Sequence, residues 1–363
     1  MKLNSILCSI AALAVLVSCD KTVVGTGLTA ESCPIAFGGN LQAETMVTRA
    51  AVTVGLEEVA DSFIVTGYKN SPTGWQDVMN SYRVCYVSNT DGSSVTNSAG
   101  WEYVGQGPDQ VTKYWDYSAT EYRFMGYVPK SATGKIDYSG SISQKKNGVV
   151  LTLSGVPRIA ISQSGVMTTP DNVTVTERDF PLISRLWHGP APQNEPVRME
   201  FIKLYSKVCV YLMRAADVNA TAISGTTLTK SGEIPLVGTV SVSYSIADTV
   251  ASISCPDMTP ANLTFNDIAA GYMVSPNVPY PLYPQYLLLA DPDNQSDYAL
   301  VCDNQKCYIP AELMKLEPGY CYTYIFKLTS PDNSSGTKST VRSTNGSMDR
   351  YEVELSDVLR SVY

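Results

Sequence analysis

The sequence predicts an all-β protein built from two β-sandwich domains. Its 363 residues include 23 tyrosines but only 7 phenylalanines, and valine, threonine and serine are abundant; this composition favours strands over helices. From residue 51 onward the apolar residues recur with a period of two, which is the period of strands, rather than 3.6. The chain is too long for one small β domain and suits two domains of about 150 residues.

The first 18 residues are predicted to be a secretory signal peptide. Lys2 supplies a minimal positive charge, and the apolar run Ile6–Val17 is too short to span a bilayer, which takes about 20 residues. The run ends in Leu16-Val17-Ser18-Cys19, which matches the lipobox of bacterial lipoproteins. We therefore expect Cys19 to be acylated and to become the new N-terminus. The alternative is an ordinary signal peptide that ends near a cysteine.

Residues 19–49 form a polar segment with one short strand-like run, Pro34-Ile35-Ala36-Phe37, closed by Gly38-Gly39. The segment ends in Thr48-Arg49, followed by Ala50-Ala51. Taken alone, Arg49 would be interpreted as a solvated arginine in a linker. Its meaning depends on the rest of the chain.

The first domain is predicted to cover residues 50–196. Turn-rich stretches separate its strands, and Asn147-Gly148 is a hairpin-like turn. The predicted strands are Ala51–Val54, Phe63–Tyr68, Tyr82–Val87, Trp101–Val104, Tyr122–Val128 and Gly148–Leu153. Short strands between such turns indicate a sandwich. The segment 183–196 contains three prolines, which interrupt strand pairing, and is the best candidate boundary.

The second domain is predicted to cover residues 197–363. It opens with one long strand that runs from Val197 to Leu212, and it contains one short helix at Pro310–Leu316. Further strands are predicted at Val240–Ile246, Tyr286–Ala290, Tyr298–Val301, Gly319–Leu328 and Tyr351–Leu355. A tail, Ser356–Tyr363, follows the last strand.

Composition argues against several classes of function. The chain has 26 Lys+Arg and 34 Asp+Glu, a net charge of −8, and residues 1–49 contain three of each, so the remainder also carries −8. A protein with this net negative charge lacks the excess of basic residues with which proteins bind nucleic acid. Its single histidine, His188, lies in a turn-like context, which disfavours catalytic triads and zinc sites. Nucleotide-binding, hydrolase and calcium motifs are missing from the sequence, so we expect no enzyme activity, cofactor or metal.

Several of the nine cysteines have an expected role. Cys85 and Cys209 lie in apolar strands and are expected to be buried thiols. Cys302 and Cys307 flank a plausible hairpin end, where an exported protein would be able to close a disulfide. Because the sequence contains no Cys-x-x-Cys pair, a metal or redox site has little support.

Three stretches together resemble the FimA/Mfa-type fimbrillin family of Gram-negative anaerobes. They are Lys113-Tyr114-Trp115 with Tyr122–Pro129, then Asp179–Ile183 with Met199–Val208, and last Leu316–Tyr322. Each is similar to one family signature, and their order holds across some 250 residues behind the lipobox. Lys203 stands where the family usually has histidine.

The resemblance implies a fold of two transthyretin-like β-sandwiches in tandem and gives Arg49 a role. In this family an Arg-specific protease cuts after such an arginine, here at the Arg49-Ala50 bond, and removes the lipidated segment. The strand containing Ile35 and Phe37 would leave with it. Its loss would expose a groove with unpaired backbone groups, which a strand from a neighbouring subunit would fill.

The C-terminus is the candidate donor strand. The candidate anchor residues are Tyr351, Val353, Leu355, Val358, Leu359 and Val362. The first three share one face, and the others provide further anchors. It is equally open that residues 350–355 simply form the last strand of their own sandwich.

Our leading hypothesis is a structural pilin that serves cell adhesion. It would start as an outer-membrane lipoprotein precursor and end in a cell-surface fimbrium. Its partners would be other pilin subunits, identical or different, the Arg-specific protease and, through the lipid before cleavage, the outer membrane. The alternative is a permanently anchored surface lipoprotein that binds a glycan or protein through Trp75, Trp101 and Trp115. Shaft, tip and anchor positions all stay open.

Overall fold

The chain is nearly all β. A computed structural model describes residues 33–44, 51–87, 100–129, 135–157, 159–163, 166–169, 172–176, 179–192, 195–219, 222–230, 237–245, 252–254, 262–269, 272–273, 275–303, 305–330 and 352–362. These ranges contain strands, short 3-10 helices and no α-helix, which confirms the predicted fold class. None of their helical turns has the length and apolarity that a membrane crossing requires.

The strands are numbered along the chain through the described residues. In chain order they are β1 (Phe37–Glu44), β2 (Ala51–Gly55), β3 (Ser62–Ser71), β4 (Gly74–Tyr86), β5 (Trp101–Glu102), β6 (Glu121–Tyr127), β7 (Ser139–Lys145), β8 (Gly148–Pro157), β9 (Ile159–Gln163), β10 (Val166–Thr168), β11 (Thr174–Val175), β12 (Leu182–Ser184), β13 (Trp187–Gly189), β14 (Val197–Lys203), β15 (Tyr205–Arg214), β16 (Thr227–Lys230), β17 (Val237–Ser245), β18 (Ser252–Ser254), β19 (Leu263–Thr264), β20 (Tyr280–Pro281), β21 (Gln285–Leu289), β22 (Tyr298–Cys302), β23 (Gln305–Ile309), β24 (Tyr320–Thr329) and β25 (Glu352–Val362). Two 3-10 turns, Leu56–Glu58 and Ala311–Met314, lie between strands.

The first sheet has nine strands and closes on itself. Its order is β12-β14-β1-β5-β4-β3-β6-β13, and β2 pairs with β1. The ring closes because β12 pairs with β6 as well as with β14. β1 is therefore an internal member of the ring, parallel to β14 and antiparallel to β5.

Three further sheets make up the rest of the described chain. One has eight strands in the order β11-β10-β9-β21-β15-β24-β25, with β20 added at β15. Two sheets have four strands each, in the orders β19-β16-β22-β23 and β18-β17-β8-β7. β25 is the edge strand of the eight-stranded sheet, and its only ladder in the described chain is the antiparallel one with β24.

The apolar side chains form three cores. The first lies inside the closed sheet and includes Phe37, Phe63 and Phe201. The second fills the space between the eight-stranded sheet and the β16–β22–β23 sheet. The third lies where the β7–β8–β17 sheet meets residues of both larger sheets, such as Tyr127 and Leu287.

The first strand differs from its prediction. The run Pro34–Phe37 was expected to stop at Gly38-Gly39, but β1 begins at Phe37 and continues through both glycines to Glu44. The glycines do not end the strand, because Gly38 and Gly39 both pair with β14, and Gly39 packs closely against Leu56. The residues before Phe37 are nonetheless held, since Pro34 forms a bridge with Tyr114.

The strand predicted from Val197 to Leu212 is two strands, which is a second correction. The chain bends at Leu204, so that β14 belongs to the closed sheet and β15 to the eight-stranded sheet. Leu204 is fully buried at this bend. The chain therefore passes from one sheet to the next without a glycine or proline to mark the bend.

Three smaller predictions also change. His188 is exposed but lies in strand β13 rather than in a turn. The predicted helix at Pro310–Leu316 is the 3-10 turn Ala311–Met314. The predicted tail from Ser356 is strand, because β25 continues to Val362 through an irregularity in its pairing with β24 opposite Ile325 and Phe326.

Residues from Cys33 onward cluster into one compact unit. Several ladders join residues on the two sides of position 196: β1 pairs with β14, β8 with β17 and β9 with β21. The division at 196 and the transthyretin-like character of the two halves stay predictions.

Candidate functional site

The candidate site is the first strand and the groove that holds it. Along one side β1 pairs with β14, from Phe37 opposite Val197 to Leu41 opposite Phe201. Along the other side it pairs with β5 at Trp101 and with β2 from Asn40 to Glu44. The strand is thus hydrogen-bonded on both edges, as a central strand is.

The residues just before β1 are also bonded on both sides. The Ile35 N–H donates to the Lys113 carbonyl over 2.8 Å, and the Trp115 N–H donates to the Cys33 carbonyl over 3.0 Å. On the opposite side, the Val197 N–H donates to the Ala36 carbonyl over 2.7 Å. Among the described residues, pairing inside the groove thus extends back to Cys33, the first of them.

Alternate side chains of this segment point into the first core. Ile35 and Phe37 are fully buried, and Leu41 is 3% exposed. The Phe37 ring meets three aromatic rings edge-on, with centroid distances of 6.2 Å to Phe63, 6.0 Å to Tyr103 and 5.5 Å to Phe124. Edge-to-face contacts of this kind add about 0.5–1.5 kcal/mol each to the gain from burial.

Gly39 takes the remaining inward position, between Phe37 and Leu41. A Cβ atom built on Gly39 would lie 2.9 Å from Leu56 Cδ2 and 3.1 Å from Leu56 Cβ. Leu56 is fully buried in the 3-10 turn that follows β2. A side chain at this point would therefore require Leu56 to shift, so the groove favours glycine here.

The Tyr103 hydroxyl ties the segment to the groove wall. It donates to the Ile35 carbonyl over 3.0 Å and accepts from the Lys113 N–H over 3.0 Å, and the Lys113 carbonyl lies 3.3 Å away. Burial raises the pKa of Tyr103 far above its ordinary value, although the backbone hydrogen bond with Lys113 opposes this rise. The hydroxyl is therefore protonated, and a hydrogen-bond donor, at any physiological pH.

Of the predicted removable-strand residues, Ile35 and Phe37 lie together in this groove. Gly39 and Leu41, Tyr103 and Leu56 were not predicted. Alternation continued through Gly38-Gly39 would have found Leu41, whereas the roles of Tyr103 and Leu56 depend on contacts distant in sequence. Cys19, Arg49 and Ala50 lie outside the described residues, as do residues 45–48 that precede the predicted cut.

The C-terminal candidates lie on β25. Val353, Leu355 and Val358 are opposite Leu328, Phe326 and Tyr324, which are fully buried, and Val353 itself is 2% exposed. Leu359 is opposite Thr323 and is 49% exposed. The backbone of Val362 is opposite Tyr320, and Tyr351 lies outside the described residues.

The irregularity in the pairing of β25 with β24 explains why Val353 is buried whereas Leu359 is exposed. Leu355 is opposite Phe326 and Asp357 is opposite Ile325, so Ser356 is an extra residue that shifts the alternation. Val358 and Arg360 consequently follow Leu355 on the same row. The Arg360 guanidinium lies 3.8 Å from the Tyr320 ring centroid and pairs with Glu317.

The tryptophans do not form an exposed platform. Trp101 and Trp115 are 1% and 2% exposed and belong to the first core. Trp75 is half-buried, and the Arg123 guanidinium covers its ring at 3.9 Å. The aromatic-platform interpretation is therefore wrong for Trp101 and Trp115, because both rings are buried in the core inside the closed sheet.

No disulfide joins the six cysteines that lie in the described residues. The predicted Cys302–Cys307 disulfide is not formed, because Cys302 is opposite Gln305 and Cys307 is opposite Leu300 across the β22–β23 hairpin. Burial raises the pKa of Cys302 to about 12 and that of Cys307 to about 11, so both thiols are protonated and poor nucleophiles. The described chain also contains no group of three or more His, Cys, Asp or Glu side chains placed to hold a metal ion.

Comparison with known proteins comes from solved structures. No protein-family model and no curated protein matches the chain. It is similar to a candidate cell adhesion protein from Bacteroides ovatus, with 14% identity, a TM-score of 0.40 and coverage of 92% of this chain and 99% of that one. It is also similar to candidate polysaccharide binding proteins from Bacteroides thetaiotaomicron, with 10% identity, a TM-score of 0.38 and coverage of 82% and 92%.

A third similar structure is the tip fimbrial protein Mfa3 from Porphyromonas gingivalis with C-terminal truncation. The identity is 7%, the TM-score is 0.38, and the match covers 91% of this chain and 100% of that one.

Proposed function

We propose that the chain is a fimbrial subunit with a structural, non-catalytic role in cell adhesion. It is exported as a lipoprotein acylated at Cys19 and held at the outer membrane by the lipid. An Arg-specific protease then cuts the Arg49-Ala50 bond. The cut subunit joins other pilin subunits by donor-strand addition at the cell surface.

The observation that carries this proposal is the position of β1. Ile35, Phe37 and Leu41 fill the first core, yet all three precede Arg49 in the chain. β1 and β2 form an antiparallel pair, and the connection between them contains the predicted cut. Cleavage there would leave β1 attached to the body by noncovalent contacts alone.

Loss of β1 would create a strong strand acceptor. The backbone groups of β14 that face β1, and those of residues 113–115 that face Cys33 and Ile35, would lose their partners. Unpaired backbone groups beside an apolar groove are a template for another strand. Each apolar anchor that a donor buries there contributes roughly 1.5–3 kcal/mol.

The candidate donor is β25 with its neighbour Tyr351. It is an edge strand, so it can leave by breaking a single ladder, the one with β24. Val353, Leu355 and Val358 on its inward row, together with Tyr351, Leu359 and Val362, are the candidate anchors. A contact that joins a strand of one subunit to a groove of the next does not close, so it propagates as a filament.

The test is the N-terminal sequence of the protein recovered from the cell surface. We expect the mature form to begin at Ala50, and we expect an Arg49→Lys variant to keep its N-terminal segment, because the protease reads arginine. An Arg49→Ala variant should behave in the same way. An acylated Cys19 as the only N-terminus of the unmodified protein would contradict the proposal and support a permanently anchored lipoprotein.

A further inference from the structure

The segment seated in the groove shows what an occupant must look like. Its four inward positions are Ile35, Phe37, Gly39 and Leu41, each two residues from the next. The first, second and fourth positions hold large apolar side chains in the first core. The third position holds glycine.

Leu56 is the residue that makes position 39 favour glycine. The Leu56 Cβ atom lies 3.1 Å from the place of a Cβ on Gly39, and a Cβ is fixed by the backbone, so no side-chain rotation of Leu56 removes this contact. Leu56 Cδ2 is closer still, at 2.9 Å, and the side chain is fully buried, which leaves it little room to move. Leu56 follows Arg49 in the chain, so it stays in the groove after the proposed cut.

We infer that Leu56 makes the groove selective for a donor strand with the pattern apolar-x-apolar-x-Gly-x-apolar, and that this strand comes from a different protein rather than from the C-terminal strand of a second copy of this chain. The inference rests on the proposed function, since it names the partner of the same groove. It goes further because it excludes self-polymerisation through the C-terminal strand.

The C-terminal sequence does not fit the pattern in any regular register. Residues 351–363 have charged side chains at Glu352, Glu354, Asp357 and Arg360. Whether the strand runs parallel or antiparallel to β14, every set of four alternate residues within 351–363 includes at least one of these charged side chains. An unpaired charge in an apolar groove is strongly unfavourable.

The irregular register of β25 does not fit either. If Ser356 stays an extra residue, Tyr351, Val353, Leu355 and Val358 align as four apolar residues. Leu355 then occupies the glycine position, against Leu56. The C-terminal strand of this chain is therefore suited to the groove of another subunit and not to the groove of its own kind.

The experiment uses the full chain cut once after Arg49, with labelled peptides that compete for the groove. The first peptide is residues 34–44 with an N-terminal acetyl group, whose carbonyl replaces the Cys33 carbonyl that accepts from the Trp115 N–H. The second peptide is the same sequence with Gly39→Val, and the third is residues 351–363. Fluorescence anisotropy measures the binding of each peptide.

We expect the first peptide to bind, the Gly39→Val peptide to bind about tenfold to hundredfold more weakly because it overpacks the site, and the 351–363 peptide not to bind. A Leu56→Ala chain should restore part of the binding of the Gly39→Val peptide, because it removes the contact with Leu56 Cδ2 while the contact with Cβ stays. Equal binding of the first two peptides, or binding of the 351–363 peptide as tight as that of the first, would overturn the inference and leave donor-strand addition standing. Failure of the first peptide to bind would overturn both.

A second measurement needs no cleavage. In the intact chain, Gly39→Val should lower the melting temperature by several degrees, and Leu56→Ala in the same chain should reduce this loss. An unchanged melting temperature in the Gly39→Val variant would show that Leu56 does not control this position.

Discussion

The Tyr103 hydroxyl is the polar group that connects the removable segment to the groove. We predict that Tyr103→Phe lowers the free energy of unfolding by about 1–3 kcal/mol, because a buried hydrogen bond with the Ile35 carbonyl is lost. Urea unfolding measures this change. Tyr82→Phe is the matched control, since the Tyr82 hydroxyl reaches the Asp109 carbonyl at an exposed site; an equal loss in both variants would contradict the role of Tyr103.

Asp116 lies next to Trp115 and makes stability pH-dependent. The Lys69 ammonium, at 2.7 Å, and then the Ser118 side chain and N–H lower the pKa of Asp116 from 3.8 to about 2. The unfolded chain therefore binds a proton at a higher pH than the folded chain, so stability falls as the pH drops from about 4 to about 2. The pair is partly exposed, so its contribution is no more than about 1 kcal/mol.

We predict that Lys69→Met lowers the melting temperature slightly at neutral pH. The difference from the unmodified chain should shrink progressively below pH 4 and be reduced, though not abolished, at pH 2, because Asp116 is half ionised there. Thermal unfolding from pH 7 to pH 2 measures it. Lys315→Met, at an exposed lysine, should give no such pH-dependent difference. A Lys69→Met difference that persists unchanged at pH 2 would show that Asp116 is not the titrating partner.

At the scale of secondary-structure elements, β25 tests whether the extra residue Ser356 decides which side chains of the strand are buried and which are exposed. We predict that Val353→Ala costs about 1–3 kcal/mol of unfolding free energy, because Val353 is buried in the second core. Leu359→Ala should stay within about 0.5 kcal/mol, because the side chain is 49% exposed. Chemical denaturation of both variants measures the two costs, and a larger cost for Leu359 would place Ser356 back in a regular alternation.

At the scale of the whole molecule, the three cores predict a local response to processing. After cleavage behind Arg49 and removal of the segment 33–44, we expect amide protons of β14 and β5 to exchange faster, since β1 covers both strands. Protection in β15 and β24 should persist, because these strands pair with each other over eight residues and belong to the second core. Hydrogen exchange followed by mass spectrometry measures this, and uniform loss of protection in all four strands would contradict it.

The sequence predicted most strands because strand periodicity and turn residues are local signals. β3, β6 and β21 lie close to the predicted positions, and the Asn147-Gly148 turn joins β7 to β8. The predictions failed where a distant contact decides the outcome. No glycine or proline marks the bend at Leu204. The extra residue at Ser356 is visible only in the pairing of β25 with β24.

The sequence by itself determined the all-β class and the apolar alternation at Ile35 and Phe37, because backbone periodicity is written in neighbouring residues. The motif at Cys19 and the candidate cut at Arg49 were also read from local sequence, and both stay predictions. Only the tertiary structure decided that β1 is an inner strand of a closed sheet, that Trp101 and Trp115 are buried, and that Leu56 packs so closely against Gly39 that glycine is favoured there. These features depend on packing between residues distant in the chain, which one sequence does not specify.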